Sequence, residues 1–482
     1  MGAGAPQAAP DPFCARAGRW AASLAARDLP ARVTERARIQ RLSMLAARAA
    51  GQEDARPFAA VAGDGPLGEV FAGAAASIAH DWDDYLYMGH TGHSSVWVSR
   101  AFAPDEERAL VAQVAANEVA GRLGAALLIG PHNGQFWSSI HCASGAVAAG
   151  VALGLDGERL GHALAIALYQ PPYGLWPGFM GPATKLLTAA EPACQGARAA
   201  MLAAEGVDGP LGVVEGPRGL LRHLAFAPRP AMLGELGRVW LTDTLAFKPF
   251  PGCAYLQAAV DAALRSGVAA ADVADVTVEA GYLTVAMERL GADAGLTPVG
   301  VGFSAARSVA IALLAGRLTH EELAPSWLAE RAGEVGQLAA RIRVRHDWEL
   351  SLASARGAVD GGASVRDVPL GAWPRVVRRM RELGMDEAAI PRHELVELAR
   401  RRGLWRELRA LLAGGSARGI AGLDTERLRM RFPCRLAVRL RSGRLVEIEG
   451  REPGASARPV REQRDVVDAR CRAVGLAAGV TA

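Results

Sequence analysis

At 482 residues the chain exceeds the length over which one hydrophobic core keeps growing, so two domains are expected. Half of the residues are apolar, 22% are charged and the formal net charge is +4, which describes an ordinary globular protein and argues against a nucleic-acid or membrane partner. Cys14, Cys142, Cys194, Cys253, Cys434 and Cys471 lie far apart with no CxxC spacing, which excludes a zinc ribbon and fits reduced thiols in the cytoplasm.

Residues 1–12 are small and Pro-rich, read as disordered, and lack the basic-then-apolar order of a signal peptide. From Phe13 to about Gly267 helical patterns alternate with Gly and Pro breaks. Pro104 and Asp105 open a helix that continues to about Gly121. The longest apolar stretch, Cys142 to Leu155, is too short to span a membrane and reads as a buried helix. Glu158 to Leu168 and Cys194 to Glu205 read as helices too. Between them, Tyr169 to Thr188 holds four prolines and three glycines, cannot be regular helix, and ends on Thr184-Lys185.

After Gly267 the pattern changes. Asp275 to Ala280 and Arg341 to Arg345 alternate as strands, with a helix over Arg307 to Leu314 between them. Cys434 to Leu440 and Leu445 to Glu449 flank Arg441-Ser442-Gly443-Arg444, a hairpin signal. Residues 349–430 are largely helical, and Leu395, Leu398, Trp405, Leu408 and Leu412 can share one helical face. The arginine excess in this segment reads as a solvated face, because only Trp373 and Trp405 could stack on bases.

The densest chemistry lies in His80-Asp81-Trp82-Asp83-Asp84 and, a few residues on, His90-Thr91-Gly92-His93-Ser94-Ser95. Imidazoles and carboxylates are the side chains most readily tuned for acid–base work near neutral pH. A lone histidine is more often structural, and His162, His223, His320, His346 and His393 are read that way. His80 is read so too, unless the cluster binds metal.

These residues resemble the MmgE/PrpD family, whose members include 2-methylcitrate dehydratase, cis-aconitate decarboxylase and iminodisuccinate epimerase. Asp81-Trp82-Asp83-Asp84 followed by His93-Ser94-Ser95 is similar to the family's Asp-aromatic-Asp-Asp and His-Pro-Ser elements. Gly130-Pro131-His132 before the small-residue helix, Thr184-Lys185, Lys248-Pro249-Phe250-Pro251 and Phe303-Ser304 resemble later elements in the same order. The sequence departs where members carry a histidine after the Lys-x-[Tyr/Phe]-Pro element; here the run is Cys253-Ala254-Tyr255-Leu256-Gln257. Arg307 stands nearest the place of a substrate-facing tyrosine.

The resemblance implies a mainly α protein: a large all-helical domain (13–266 with 459–482) and a smaller α+β lid (267–348 with 431–458). Residues 349–430 form a helical insertion. It implies a homodimer with no metal or organic cofactor, binding neither membrane nor nucleic acid. The implied activity is a lyase, dehydratase or decarboxylase in type, acting on a small di- or tricarboxylic acid or a related acid with bulkier substituents.

Asp81, His93, His132 and Lys185 are the implied catalytic residues. One of the two histidines moves the proton, Asp81 orients, and Lys185 pairs with a substrate carboxylate. His90 competes with His93, and His141 with His132. His90, Arg307, Gln257 and Thr184 are candidate substrate contacts, with Arg307 a bidentate carboxylate clamp. Asp83 and Asp84 are read as capping a helix or holding the loop. Three alternatives stay open: a racemase or epimerase at the same site, a metal-dependent hydrolase using the 80–84 cluster with His90 and His93, and a non-catalytic binding protein on the same scaffold.

Overall fold

The computed structural model describes residues 11–131, 138–364, 366, 368–385, 390–415, 418–452, 454–455 and 458–476. The protein is mainly α, with two small sheets among the described residues. Helices α1 (Phe13–Ser23), α2 (Ala31–Gly51), α3 (Gly65–Ile78), α4 (Gly92–Phe102), α5 (Glu106–Leu127), α6 (Ser138–Ala152), α7 (Gly157–Tyr169) and α8 (Leu187–Ala204) pack around one large apolar core. Asp105 caps α5 by accepting from the Arg108 amide at 2.8 Å, as its position before the apolar run predicts.

Helix α6 is buried along its whole length. Its partner is α8, and the contact depends on small residues: a methyl at Gly145 would strike the Ala193 carbonyl, and one at Gly196 the Cys142 carbonyl. Helices this close exclude any side chain larger than hydrogen at those two positions. Helix α8 begins at Leu187, earlier than the sequence pattern suggests, and carries Pro192 in its interior. The Pro-rich stretch before it forms only short turns, Trp176–Phe179 and a 3-10 turn at Ala183–Leu186.

Strand β1 (Asp84–Tyr85) pairs antiparallel with β2 (Ala246–Phe247). Helix α9 (Gln257–Arg265) leads to β3 (Val273–Ala280). After it come α10 (Tyr282–Leu290), α11 (Ala305–Ala315), α12 (Ala332–Ala339) and β4 (Ile342–His346). Strands β5 (Cys434–Leu440) and β6 (Leu445–Glu449) complete a four-stranded sheet of order β4-β3-β5-β6, in which only β3 and β4 run parallel. Val276, Val278, Leu436 and Val438 alternate onto the face covered by α9 and α11, forming a second core. The β5–β6 turn uses Gly443 at φ +87°, as the hairpin signal predicts.

Between β4 and β5 lie α13 (Trp348–Asp360), α14 (Trp373–Glu382), α15 (Arg392–Arg400) and α16 (Arg402–Ala413). The expected continuous face over 395–412 is corrected here. Arg401, at ψ 85°, breaks the chain between α15 and α16, so Leu398 and Leu404 turn inward onto Trp348 and Leu352. Leu395, Trp405 and Leu412 are left exposed. Helix α17 (Val460–Ala473) packs Val467 and Cys471 against Ile39, Leu42 and Ala46 of α2. All six cysteines are free thiols, and no helix among the described residues is long and apolar enough to cross a membrane.

Candidate active site

The 80–91 loop leaves α3 through Asp81, whose backbone is left-handed at φ +51°. Aspartate tolerates that region better than most residues. The turn sends the Asp81 side chain to Lys185, whose Nζ donates to Oδ1 at 2.7 Å and to the Ile78 carbonyl at 2.9 Å. Lys185 is fully buried, with the rings of Phe179 and Phe303 centred 5.7 and 5.6 Å from Nζ. The Asp81 carbonyl faces the other way and accepts from Lys248 Nζ at 2.8 Å.

Asp83 is the hub. One oxygen accepts from Lys248 Nζ; the other meets His90 Nδ1 at 2.7 Å and His93 Nε2 at 2.9 Å. Burial pushes this carboxyl up, but the Lys248 ammonium and the two imidazoles outweigh it and hold Asp83 well below the usual carboxylate range. An ionised carboxylate only accepts, so both imidazoles donate to it. Burial opposes a charge on Lys248 too, yet Asp83 and Asp81 keep its pKa raised. Burial dominates at His93 and lowers its pKa against the pull of Asp83, so that ring is neutral.

The loop is clamped from behind. Gln40 of α2 donates to Asp84 at 2.7 Å and accepts from Asn117 of α5, which in turn accepts from Thr91 at 2.6 Å. Burial, then the neighbouring Asp83 charge, pushes Asp84 up to about 7. Arg470 of α17 donates to the carbonyls of Trp82 and Ser43. Its burial lowers its pKa to about 10, still charged at neutrality.

A cavity of about 210 Å³ opens onto this hub. Asp81, His90 and Lys248 form its polar end, with Tyr85, Tyr255 and Phe303 among the walls. His90 reaches it and His93 does not: the His90 side chain is 12% exposed, that of His93 0%. His93 lies in the first turn of α4, where its Nδ1 meets Ser77 Oγ at 2.9 Å. His141 sits behind it, 3.1 Å from Ser94 Oγ. His132 lies outside the described residues.

Other expected contacts stand elsewhere. Arg307 donates to the carbonyls of Gly291, Gly300 and Ala292, and does not line the cavity. Gln257 folds back onto the backbone of Phe250, Gly252 and Cys253. Thr184 donates to the Gly178 carbonyl at an exposed edge. Each spends its polar atoms on backbone groups of nearby turns and short helices. Lys185 stands behind Asp81 rather than on the cavity wall. Conversely, Lys248 and Asp83 matter more here than their sequence reading implied; the Lys-Pro-Phe-Pro element was the available signal for Lys248.

The ligands of the metal alternative do not converge. His80 Nε2 turns to Asp54 at 2.8 Å, Asp81 is held by Lys185, and His90 and His93 share Asp83. Among the described residues no three His, Cys, Asp or Glu side chains are grouped as a metal site.

Compared with known families, residues 65–232 match the MmgE/PrpD N-terminal domain. This match supports membership of the MmgE/PrpD family. The match spans α3, the 80–91 loop and Lys185, and ends before Lys248. An MmgE/PrpD domain suggests an enzyme of the dehydratase type. No curated protein matches the chain.

Proposed function

We propose that the protein is a cofactor-independent lyase that removes water or carbon dioxide from a carboxylic acid by general acid–base catalysis. The observation that carries this reading is Asp83, which joins His90 and Lys248 at one end of the cavity. With Nδ1–H given to Asp83, His90 offers the lone pair of Nε2 as a base. Lys248 uses two of its three N–H groups on Asp81 and Asp83, and the third suits a substrate carboxylate.

In dehydration, Nε2 takes the proton from the carbon beside the carboxylate, and charge builds on carboxylate oxygens next to Lys248. Return of that proton from the imidazolium to the departing hydroxyl releases water and leaves a carbon–carbon double bond. Asp83 acts as a positioning residue, fixing the tautomer and stabilising the imidazolium as it forms. Lys185, with Asp81, orients the loop and adds positive potential. With Asp84 largely protonated below pH 7, Lys185, Lys248 and Arg470 outnumber the charged Asp81 and Asp83, which favours an anionic ligand.

Proton NMR of the purified protein in D2O with 2-methylcitrate, citrate, cis-aconitate and longer-chain analogues tests the reading. Loss of water or carbon dioxide from one acid, abolished by His90→Ala, is the expected result. Deuterium uptake without a new product would make the enzyme an epimerase. Inertness to every acid, with activity appearing only on addition of a divalent metal, would overturn the proposal.

A further inference from the structure

The 210 Å³ cavity is the inner of two. A second chamber of about 440 Å³ adjoins it and shares Tyr87, Met88, Leu128, Leu283, Met430 and Phe432 as common lining. Its far wall is α13, which contributes Ser354, Ala355, Ala358 and Val359 from the helical insertion. That wall is fixed in place: Ser351 Oγ accepts from the Tyr282 amide at 2.9 Å and meets His346 Nε2 at 2.7 Å.

The two chambers differ in chemistry. The inner one ends on Asp81, His90 and Lys248; the outer one is lined mostly by aliphatic carbon and methionine. Two of the arginines at the outer wall are engaged in the fold, Arg229 with the Ser364 carbonyl and Arg431 with Glu452. A small tricarboxylic acid would occupy the inner end and leave the larger volume to water against apolar walls. Sites for drug-sized ligands span roughly 300–1,000 Å³, the range of the outer chamber by itself.

We propose that the substrate is an acid bearing a long apolar substituent, its carboxylate at Lys248 and its tail in the chamber walled by α13. This rests on the lyase reading for the position of the head group. The shared boundary residues carry the argument: a chain leaving the inner cavity between Leu128, Leu283 and Phe432 enters the outer one without crossing a polar layer.

The test is calorimetric titration of the full-length protein with alkylsuccinates from methyl to octyl. Beyond propyl, the dissociation constant should fall about fourfold per added methylene, the worth of burying one CH2. In Ala358→Phe, and independently in Ala355→Phe, the ratio between methyl- and octylsuccinate should collapse. Methylsuccinate binding with no gain for longer chains would overturn this inference and leave the lyase reading standing. An undiminished ratio in both correctly folded variants would also overturn it, by placing the tail elsewhere. Octan-1-ol binding as tightly as octylsuccinate would sink the link between head and tail. Failure of every succinate to bind would overturn both readings.

Discussion

The inner and outer chambers are built on opposite terms. The inner end draws Asp81, Asp83, Lys185, Lys248 and Arg470 from separate parts of the chain and buries all five. Each is costly to bury alone and has a hydrogen-bonding partner in the hub or the loop, so the arrangement is specific but sensitive to any single loss. The far wall of the outer chamber is α13, which packs on α15 and α16 through the small cluster of Trp348, Leu352, Leu398 and Leu404. Apolar walls of that kind tolerate changes in volume and shape far better than a charge hub tolerates the loss of a partner. Precision in one chamber is thus joined to adaptability in the other.

The sharpest way to break this contrast is Asp83→Asn. It replaces the carboxylate shared by His90, His93 and Lys248 with a neutral amide that has one acceptor oxygen and one NH2 donor, and turnover of the acid identified by NMR should fall about a thousandfold. Stability should drop by about 3–5 kcal/mol, read by urea denaturation. A loss below tenfold would show that the hub is only structural. Lys248→Met comes next, with kcat/KM lower by about a hundredfold and a clear rise in KM if Lys248 holds the carboxylate.

On the apolar side, Leu352→Ala should cost about 2–5 kcal/mol, confined to the 348–413 helices. Hydrogen exchange should accelerate there while α6 stays protected. Acceleration in both places would mean that the two chambers are one cooperative unit.

Asp84 yields a smaller, pH-dependent effect. Its pKa is raised to about 7 when folded, so between pH 4 and 7 the folded chain keeps a proton that the unfolded chain has lost. Stability from this group is therefore present at low pH and declines as pH rises through that window. Asp84→Asn should flatten the decline and be more stable than wild type by about 1–4 kcal/mol at pH 8, seen as Tm against pH. Smallest of all is Arg307→Gln: because its guanidinium serves backbone carbonyls, turnover should change less than about threefold. A loss beyond tenfold would return Arg307 to the cleft.

How much of this was legible in the sequence follows from the range of each interaction. Local signals read well: Asp105 as a cap, the helix over Arg307 to Leu314, the Arg441–Arg444 turn and the Pro-rich break before Lys185 all depend on a few adjacent residues. The 80–93 cluster was legible as a concentration of titratable groups, but which of His90 and His93 faces the cavity was not. That depends on α4 starting at Gly92, which turns His93 inward toward Ser77 and leaves His90 on the cavity side. Arg307 and Gln257 misled because a long polar side chain in a loop has two equally plausible fates, substrate or orphan carbonyl, and only packing decides. The outer chamber was beyond reach, since it joins Tyr87 and Leu128 to α13, which begins at Trp348.

Arg470 has a consequence for synthesis. It hydrogen-bonds the Trp82 carbonyl, 388 residues earlier in the chain, from a helix that packs on α2. At 5–20 residues per second, a ribosome needs roughly 20–80 s between making the 80–91 loop and making the side chain that pins it. During that interval the loop has Gln40, Lys185 and Lys248 as partners but lacks the Arg470 contact to its backbone. The contacts that hold the 80–91 loop are thus complete only once residue 470 has been made.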